Sequence, residues 1–260
     1  MVATTDHQPR QEKFMLEKII RRGTLYVGMT SIVPWAMRNK GGEFIGFEID
    51  VARRLADDMG VKVEFTPTEY PDLVPALQAG DFDIIISGLG ITPARNLQVN
   101  CTQPYNSYVL GIAVNRQLLP EVRSVDDLNK PEAFIARRGF DTESIREHYF
   151  PLARCYRFDD DADGFWATLS GKAHAVMTLE PKPRFITAQH PDILYQPPAL
   201  QNLKTYHAAF EINKGDPDSL NFYNNWIFLR TDDGWLADRR AYWFEGTKWF
   251  GEINDNPFLI

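Results

Sequence analysis

"YPDLVPALQAGDFDIIISGLGITPAR", residues 70–95, is the stretch on which the reading of this chain turns. Pro75 sits in the first turn of a short helix over 70–80, and Gly80 stops it. "FDIIIS" (82–87), with its run of three isoleucines, then reads as a strand buried on both faces. The chain leaves that strand on Gly88 and Gly90, which let a backbone approach a partner closely and aim several N–H groups one way. Thr92 is placed to cap a helix begun at Pro93, whose positive end adds to the same spot. Arg95 follows one helical turn behind, and a guanidinium grips a planar carboxylate with two parallel hydrogen bonds. The spacing predicts an anion site. It fits equally a tight strand-to-helix turn with a solvated arginine.

Working outward, "GTLYVGMT" (23–30) reads as a strand. "GFEIDVARRLADDMG" (46–60) reads as an amphipathic helix, with Val51, Leu55 and Met59 four apart and Gly60 as its stop. "VKVEFTP" (61–67) alternates as a strand. Strand, helix, strand, helix, strand predicts an α/β layer with a parallel sheet. The second half repeats the style. "AFIARRG" (133–139) is a strand leading to a helix that begins near Thr142, "GFWATLSGKA" (164–173) a helix, and "HAVMTL" (174–179) a strand. "KTYHAAFEI" (204–212) reads as one strand, and 218–244 as two helices broken at Asp233-Gly234. "YVLGIAVNR" (108–116) is long enough to cross between two lobes, with 204–212 returning. Two such lobes place a cleft at the carboxyl ends of their strands, where open α/β sheets bind ligands.

The totals narrow the function. The chain has 260 residues, 44% hydrophobic and 24% charged, as in a soluble globular protein. No apolar run approaches the roughly 20 residues of a membrane span. The net charge is −7 with Lys and Arg scattered, so there is no basic stripe for nucleic acid. Cys101 and Cys155 fit no metal pattern, and the five histidines show no zinc spacing. No phosphate-binding loop and no GxSxG turn is present. "MVATTDHQPRQEKF" lacks the positive start and apolar stretch of a signal peptide, which suits a cytosolic protein or one that starts at its mature end.

Three further groups could carry chemistry. Trp35 and Tyr70 each lie just past a strand, on the rim of the glycine turn, and could clasp a flat or apolar ligand body or simply pack in the lobe core. In "RRGFDTES" (137–144), Asp141 or Thr142 caps a helix as the second lobe's counterpart of the glycine turn. In "MTLEPKPR" (177–184), Glu180 beside Lys182 is a proton-transfer pair or a solvated loop.

Taken together these segments resemble the family-3 extracellular solute-binding proteins, the polar amino-acid receptors of ABC transporters. The resemblance covers about residues 22–250 and rests on "GFEIDVARRLADDMGVKVEF", "YPDLVPALQAGDFDIIISGLGITPAR", "QPYNSY" and "LRTDDGWLADRRAYWF". It implies a bilobed periplasmic-binding-protein (Venus-flytrap) fold, two α/β lobes joined by two hinge strands. The expected lobes are 22–113 plus 206–260 and, inserted between them, 114–205, after an N-terminal extension of 1–21. It implies a small carboxylate ligand, amino acid or organic acid, on Ser87, Gly88, Gly90 and Arg95. Trp35 and Tyr70 would wall the pocket, and Asp141, Thr142 and Leu179 would meet the ligand from the second lobe. An ABC permease in the membrane is the implied partner, the location periplasmic and the state monomeric, with no metal or cofactor.

Two departures bear on the ligand. Relatives that bind amino acids usually read Thr-Asp where this chain has Thr178-Leu179, and leucine cannot hold an ammonium ion. The usual Gly-Thr-Thr or Gly-Ser-Thr is here Gly139-Phe140-Asp141-Thr142. Either Asp141 takes over the ammonium, or the ligand is an organic acid with a second anionic group near Lys182 or Arg137. The segment 130–192 is similar to cyclohexadienyl dehydratases, a catalytic branch that converts prephenate or arogenate. Their general-acid glutamate falls on Lys182 here, with Glu180 the nearest carboxyl group, so these two residues are the catalytic candidates of that alternative.

Overall fold

The computed structural model describes residues 14–138, 143–158 and 160–253. In chain order, the elements begin with α1 (Met15–Arg22), β1 (Thr24–Met29), β2 (Met37–Arg38), β3 (Phe44–Ile45), α2 (Phe47–Met59) and β4 (Lys62–Pro67). Next come α3 (Leu73–Ala79), β5 (Ile84–Ile85), α4 (Pro93–Asn96), β6 (Asn100–Cys101) and β7 (Asn106–Asn115). Then follow β8 (Phe134–Arg138), α5 (Glu143–Tyr149), β9 (Arg154–Phe158), α6 (Asp161–Leu169), β10 (Ala175–Leu179), α7 (Lys182–Gln189) and β11 (Leu194–Tyr195). The chain closes with β12 (Thr205–Ala208), β13 (Glu211–Ile212), α8 (Pro217–Asp232), α9 (Trp235–Arg240) and a π-helical turn, Ala241–Glu245.

The fold is α/β, in two compact units that each own a sheet. The first takes in the described residues up to Met37, Phe44–Tyr105 and Ala209–Arg239; the second takes in Arg38–Glu43, Asn106–Ala208 and the described residues from Arg240. The sequence expectation gives 206–260 to the first lobe. The described residues from Arg240 cluster with the second unit, where Phe185 of α7 meets the rings of Trp249 and Phe250 edge-on.

In the first unit the strand order is β4-β1-β5-β13-β6. β1 pairs in parallel with β4 and β5, while β13 runs antiparallel to β5 and β6. The layer is therefore mixed rather than wholly parallel. The helix expected over 70–80 is a 3-10 turn, Tyr70–Asp72, leading into α3, and the strand expected over 82–87 pairs only through Ile84–Ile85. Phe82 and Ile85 pack with Leu73, Leu77, Leu89 and Val99, and the run's one charge, Asp83, is buried against Arg22 and the Tyr26 N–H.

In the second unit the order is β11-β7-β10-β8-β9, with β12 also on β7. β8 runs parallel to β10 and β9, and β7 antiparallel to β10. Alternation sends Ile112, Ile135 and Met177 to one core, and Ala113, Ala136 and Val176 to another. The single strand expected over 204–212 divides at Ala209-Phe210: β12 joins the second unit's sheet and β13 the first unit's. No described helix is long and apolar enough to cross a membrane.

Candidate functional site

The glycine turn of the first unit is built from its backbone outward. After β5, the Ile86 N–H donates to the Gly28 carbonyl at 3.2 Å, and the Thr30 N–H donates to Ser87 Oγ at 2.9 Å. These bonds tie the turn to the end of β1. Gly88 then takes φ of +65°, which a side chain would strain. A Cβ there would also stand 3.2 Å from Trp35 Cδ1 and 3.3 Å from Glu48 Oε1. Trp35 is buried against this turn, and its own loop is held close to α2 because Gly46, at φ +135°, lets the Glu48 N–H donate to the Trp35 carbonyl at 2.9 Å.

Thr92 caps α4, accepting from the Arg95 N–H at 3.1 Å. That helix is a single turn of 4 residues, so its dipole adds little to an anion site. The Arg95 side chain folds back over the turn. Its Nη1 donates to the Gly90 carbonyl, and its Nη2 donates weakly to Tyr70 Oη at 3.4 Å. The structure therefore gathers Trp35, Tyr70, Ser87, Gly88, Gly90 and Arg95 in one unit. Ser87 Oγ and the Gly88 N–H both have partners within the protein.

Sequence reasoning missed what lies beneath. The Gly88 N–H donates to Tyr105 Oη at 3.1 Å, and Tyr105 donates in turn to Glu48 Oε2 at 2.5 Å. The Tyr105 ring stacks on Phe47 and lies 4.6 Å from Phe210, centroid to centroid. Glu48 is buried, and its pKa is pushed up to about 8, by desolvation first, with the Tyr105 hydrogen bond working against it. Glu211, on β13, is completely buried, and among the described residues neither of its carboxyl oxygens has a hydrogen-bond partner. Desolvation raises its pKa well above the ordinary value, Arg95 opposes the rise, and Glu48 adds to it. One signal was visible: Glu211 interrupts the apolar run "AAFEI". Tyr105 lies in the "QPYNSY" segment, but nothing there shows its partners.

In the second unit, Leu179 ends β10 opposite Leu110 of β7 and packs on the core of Ile112, Ile135 and Met177. Thr178 donates to Asp161 Oδ1 at 2.8 Å, and the Lys182 ammonium is ion-paired with Asp161 Oδ2. All three are buried. Lys182 thus begins a helix rather than a solvated loop, and its charge is already met by Asp161. Glu180 accepts from Gln196 Nε2 at 2.5 Å and lines a cavity of about 260 Å³ together with β7, Arg184 and Phe244. Burial raises its pKa, against the hydrogen bond from Gln196. Asp141 and Thr142 lie outside the described residues. Among the described residues no cluster of His, Cys, Asp or Glu could hold a metal ion.

The family model described as bacterial extracellular solute-binding proteins, family 3, matches residues 25–246. Cyclohexadienyl dehydratase of Pseudomonas aeruginosa is 24% identical over 247 residues, 94% of this chain and 91% of that protein. The Sinorhizobium fredii protein y4tE, described as a probable amino-acid ABC transporter periplasmic-binding protein, is 24% identical over 229 residues, 84% of this chain and 76% of its own. Among solved structures, the ancestral amino acid-binding protein AncCDT-1, a precursor of cyclohexadienyl dehydratase, is 35% identical with a TM-score of 0.75, covering 88% of this chain and 98% of that one.

Proposed function

The chain belongs to the bacterial extracellular solute-binding proteins, family 3, and from that premise we propose that it captures a small carboxylate-bearing solute for an ABC permease. The solute is an amino acid or an organic acid, and the protein works outside the cytoplasmic membrane, as a monomer. The observation that carries the reading is Arg95 lying across the glycine turn, with its guanidinium on the Gly90 carbonyl and Tyr70. Those two contacts are neutral acceptors. A carboxylate replaces them with an acceptor of opposite charge that can take two parallel hydrogen bonds from the guanidinium. Trp35 and Tyr70 supply apolar and aromatic surface for the ligand body. Gly88 and Gly90 shape the turn, the Gly88 N–H being spent on Tyr105, while the Ser87 hydroxyl accepts from the Thr30 N–H and keeps its own proton to donate.

The test is a thermal-shift screen against amino acids, dicarboxylates, aromatic acids and prephenate. A ligand that binds only the native state raises the melting temperature, by about 2.7 kcal/mol of stability at a hundredfold excess over Kd. A stable acid giving a clear shift names the cargo; no shift with any carboxylate sinks the reading.

A second reading is a dehydratase-like lyase. It is supported by the similarity to cyclohexadienyl dehydratase and by Glu180, a half-buried acid with a raised pKa on the wall of a cavity. A carboxyl group whose pKa is raised by burial is shifted in the direction that general-acid work needs. Appearance of phenylpyruvate in the prephenate well, lost in Glu180→Gln, would favour this reading over transport.

A further inference from the structure

Two acids lie under the glycine turn where an anion site would be expected to avoid them. Glu211 sits on β13, in register with Ile85 of β5 and Cys101 of β6, so its side chain starts directly behind the turn that β5 feeds. It is completely buried, and among the described residues neither carboxyl oxygen has a hydrogen-bond partner. The titratable groups facing it come from three sides: Arg95 from α4, Glu48 from α2, and Tyr105 and Cys101 from β6 and the segment after it. Arg95 is the one cation among them.

An ionised carboxylate with no hydrogen bond is among the costliest groups to bury, and it keeps its charge only against a nearby cation. Of the two acids, Glu48 has Tyr105 to bond with, while Glu211 has only the field of Arg95. We propose that Glu211 is the internal counter-ion of Arg95: ionised, it holds the guanidinium, and protonated, it releases Arg95 to the carboxylate of the solute. Capture of a carboxylate then takes up a proton. The step is balanced as a binding equilibrium. One anion arrives at Arg95, and one proton from solvent converts Glu211 from carboxylate to carboxylic acid. Because the coupling is reciprocal, affinity falls as pH rises through the range in which free Glu211 ionises. Glu48 strengthens the effect, since a second acid nearby makes each ionisation of the pair harder. The inference rests on the assignment of Arg95 to the ligand carboxylate.

The experiment has a ligand-free arm and a ligand arm. In the first, carbon-13 resonances of labelled glutamate carboxyls are followed against pH, with Glu211 assigned by Glu211→Gln. Glu211 should titrate far above the ordinary carboxyl range, and Arg95→Gln should move its midpoint higher still. A midpoint near the ordinary value of roughly 4.3, or one indifferent to Arg95→Gln, overturns the proposal. In the second arm, succinate and L-arginine are titrated calorimetrically between pH 6 and 9 in buffers of different ionisation enthalpy. The expected result is proton uptake that disappears in Glu211→Gln, whose affinity no longer weakens with pH. Binding with no uptake, or with the same pH profile in both proteins, overturns the proposal. If neither probe binds, the carboxylate reading of the site is what suffers, and the ligand-free titration decides the role of Glu211.

Discussion

Tyr105 shows how much of this site is set one residue at a time. Its hydroxyl accepts from the Gly88 N–H and donates to Glu48, so one oxygen fixes the glycine turn to the buried helix below. Tyr105→Phe would keep the ring between Phe47 and Phe210 while orphaning both partners. The expected loss is about 1–3 kcal/mol of stability, the usual cost of a buried polar group left unpaired. Denaturant unfolding measures it, and an unchanged midpoint would mean that Gly88 and Glu48 find other partners. The residues legible from sequence are those whose partners are local: Arg95 with Thr92 and Gly90 lies within a few positions of both. Glu48 and Tyr105 are 57 positions apart, and Glu211 is far from everything it faces, so nothing in the linear pattern links them. Lys182 was visible as a charge, but not its burial on Asp161, which comes from a separate helix 21 positions back.

At the scale of elements, long segments with clear periodicity were legible, and short or partnered ones were not. α2 matches its apolar spacing, and β7 its extended run. α7 was hidden because Pro181 and Pro183 look like breakers, yet both lie at the helix start, where a missing N–H costs nothing. β9, "RCYRF", is a mostly exposed strand of polar and aromatic residues paired only on β8, and it carries no alternation to read. The division of 204–212 between two sheets is a fact of pairing, and no local signal marks it. An inner strand of the first unit's sheet offers a test of packing. A Cβ on Gly28 of β1 would clash with the tip of the Phe82 ring, nearest its Cζ. Gly28→Ala should therefore cost about 1–3 kcal/mol through overpacking, despite alanine's better strand entropy. A stabilised variant in thermal melts would show that Phe82 can move aside freely.

The whole molecule carries the acid pair as a pH dependence of stability. Glu48 has its pKa raised from an ordinary 4.5 to about 8, so between those values the folded chain keeps a proton that the unfolded chain gives up. That contribution is complete below the unfolded value and is lost as pH rises toward the folded one, at about 1.4 kcal/mol per pH unit per group. Glu211 acts in the same direction, its own pKa being raised by burial. Melting temperature should thus decline from pH 5 to pH 8, and Glu48→Gln should flatten the decline. A melting temperature that rises over this interval would show that other groups outweigh the pair.

The central claim is that Arg95, set across the glycine turn, holds the solute's carboxylate. The most direct measurement runs the same acid panel by thermal shift on the native protein and on Arg95→Ala, with the amide of each acid alongside. Arg95 is half-exposed and its guanidinium lies on the Gly90 carbonyl and Tyr70 Oη rather than in the packed core, so the variant should melt cooperatively on its own, with Glu211 keeping its proton in place of the lost cation. The expected result is a shift with at least one acid, none with its amide, and none at all in Arg95→Ala. An acid that shifts the variant as far as the native protein, or an amide that serves as well as its acid, would contradict the account.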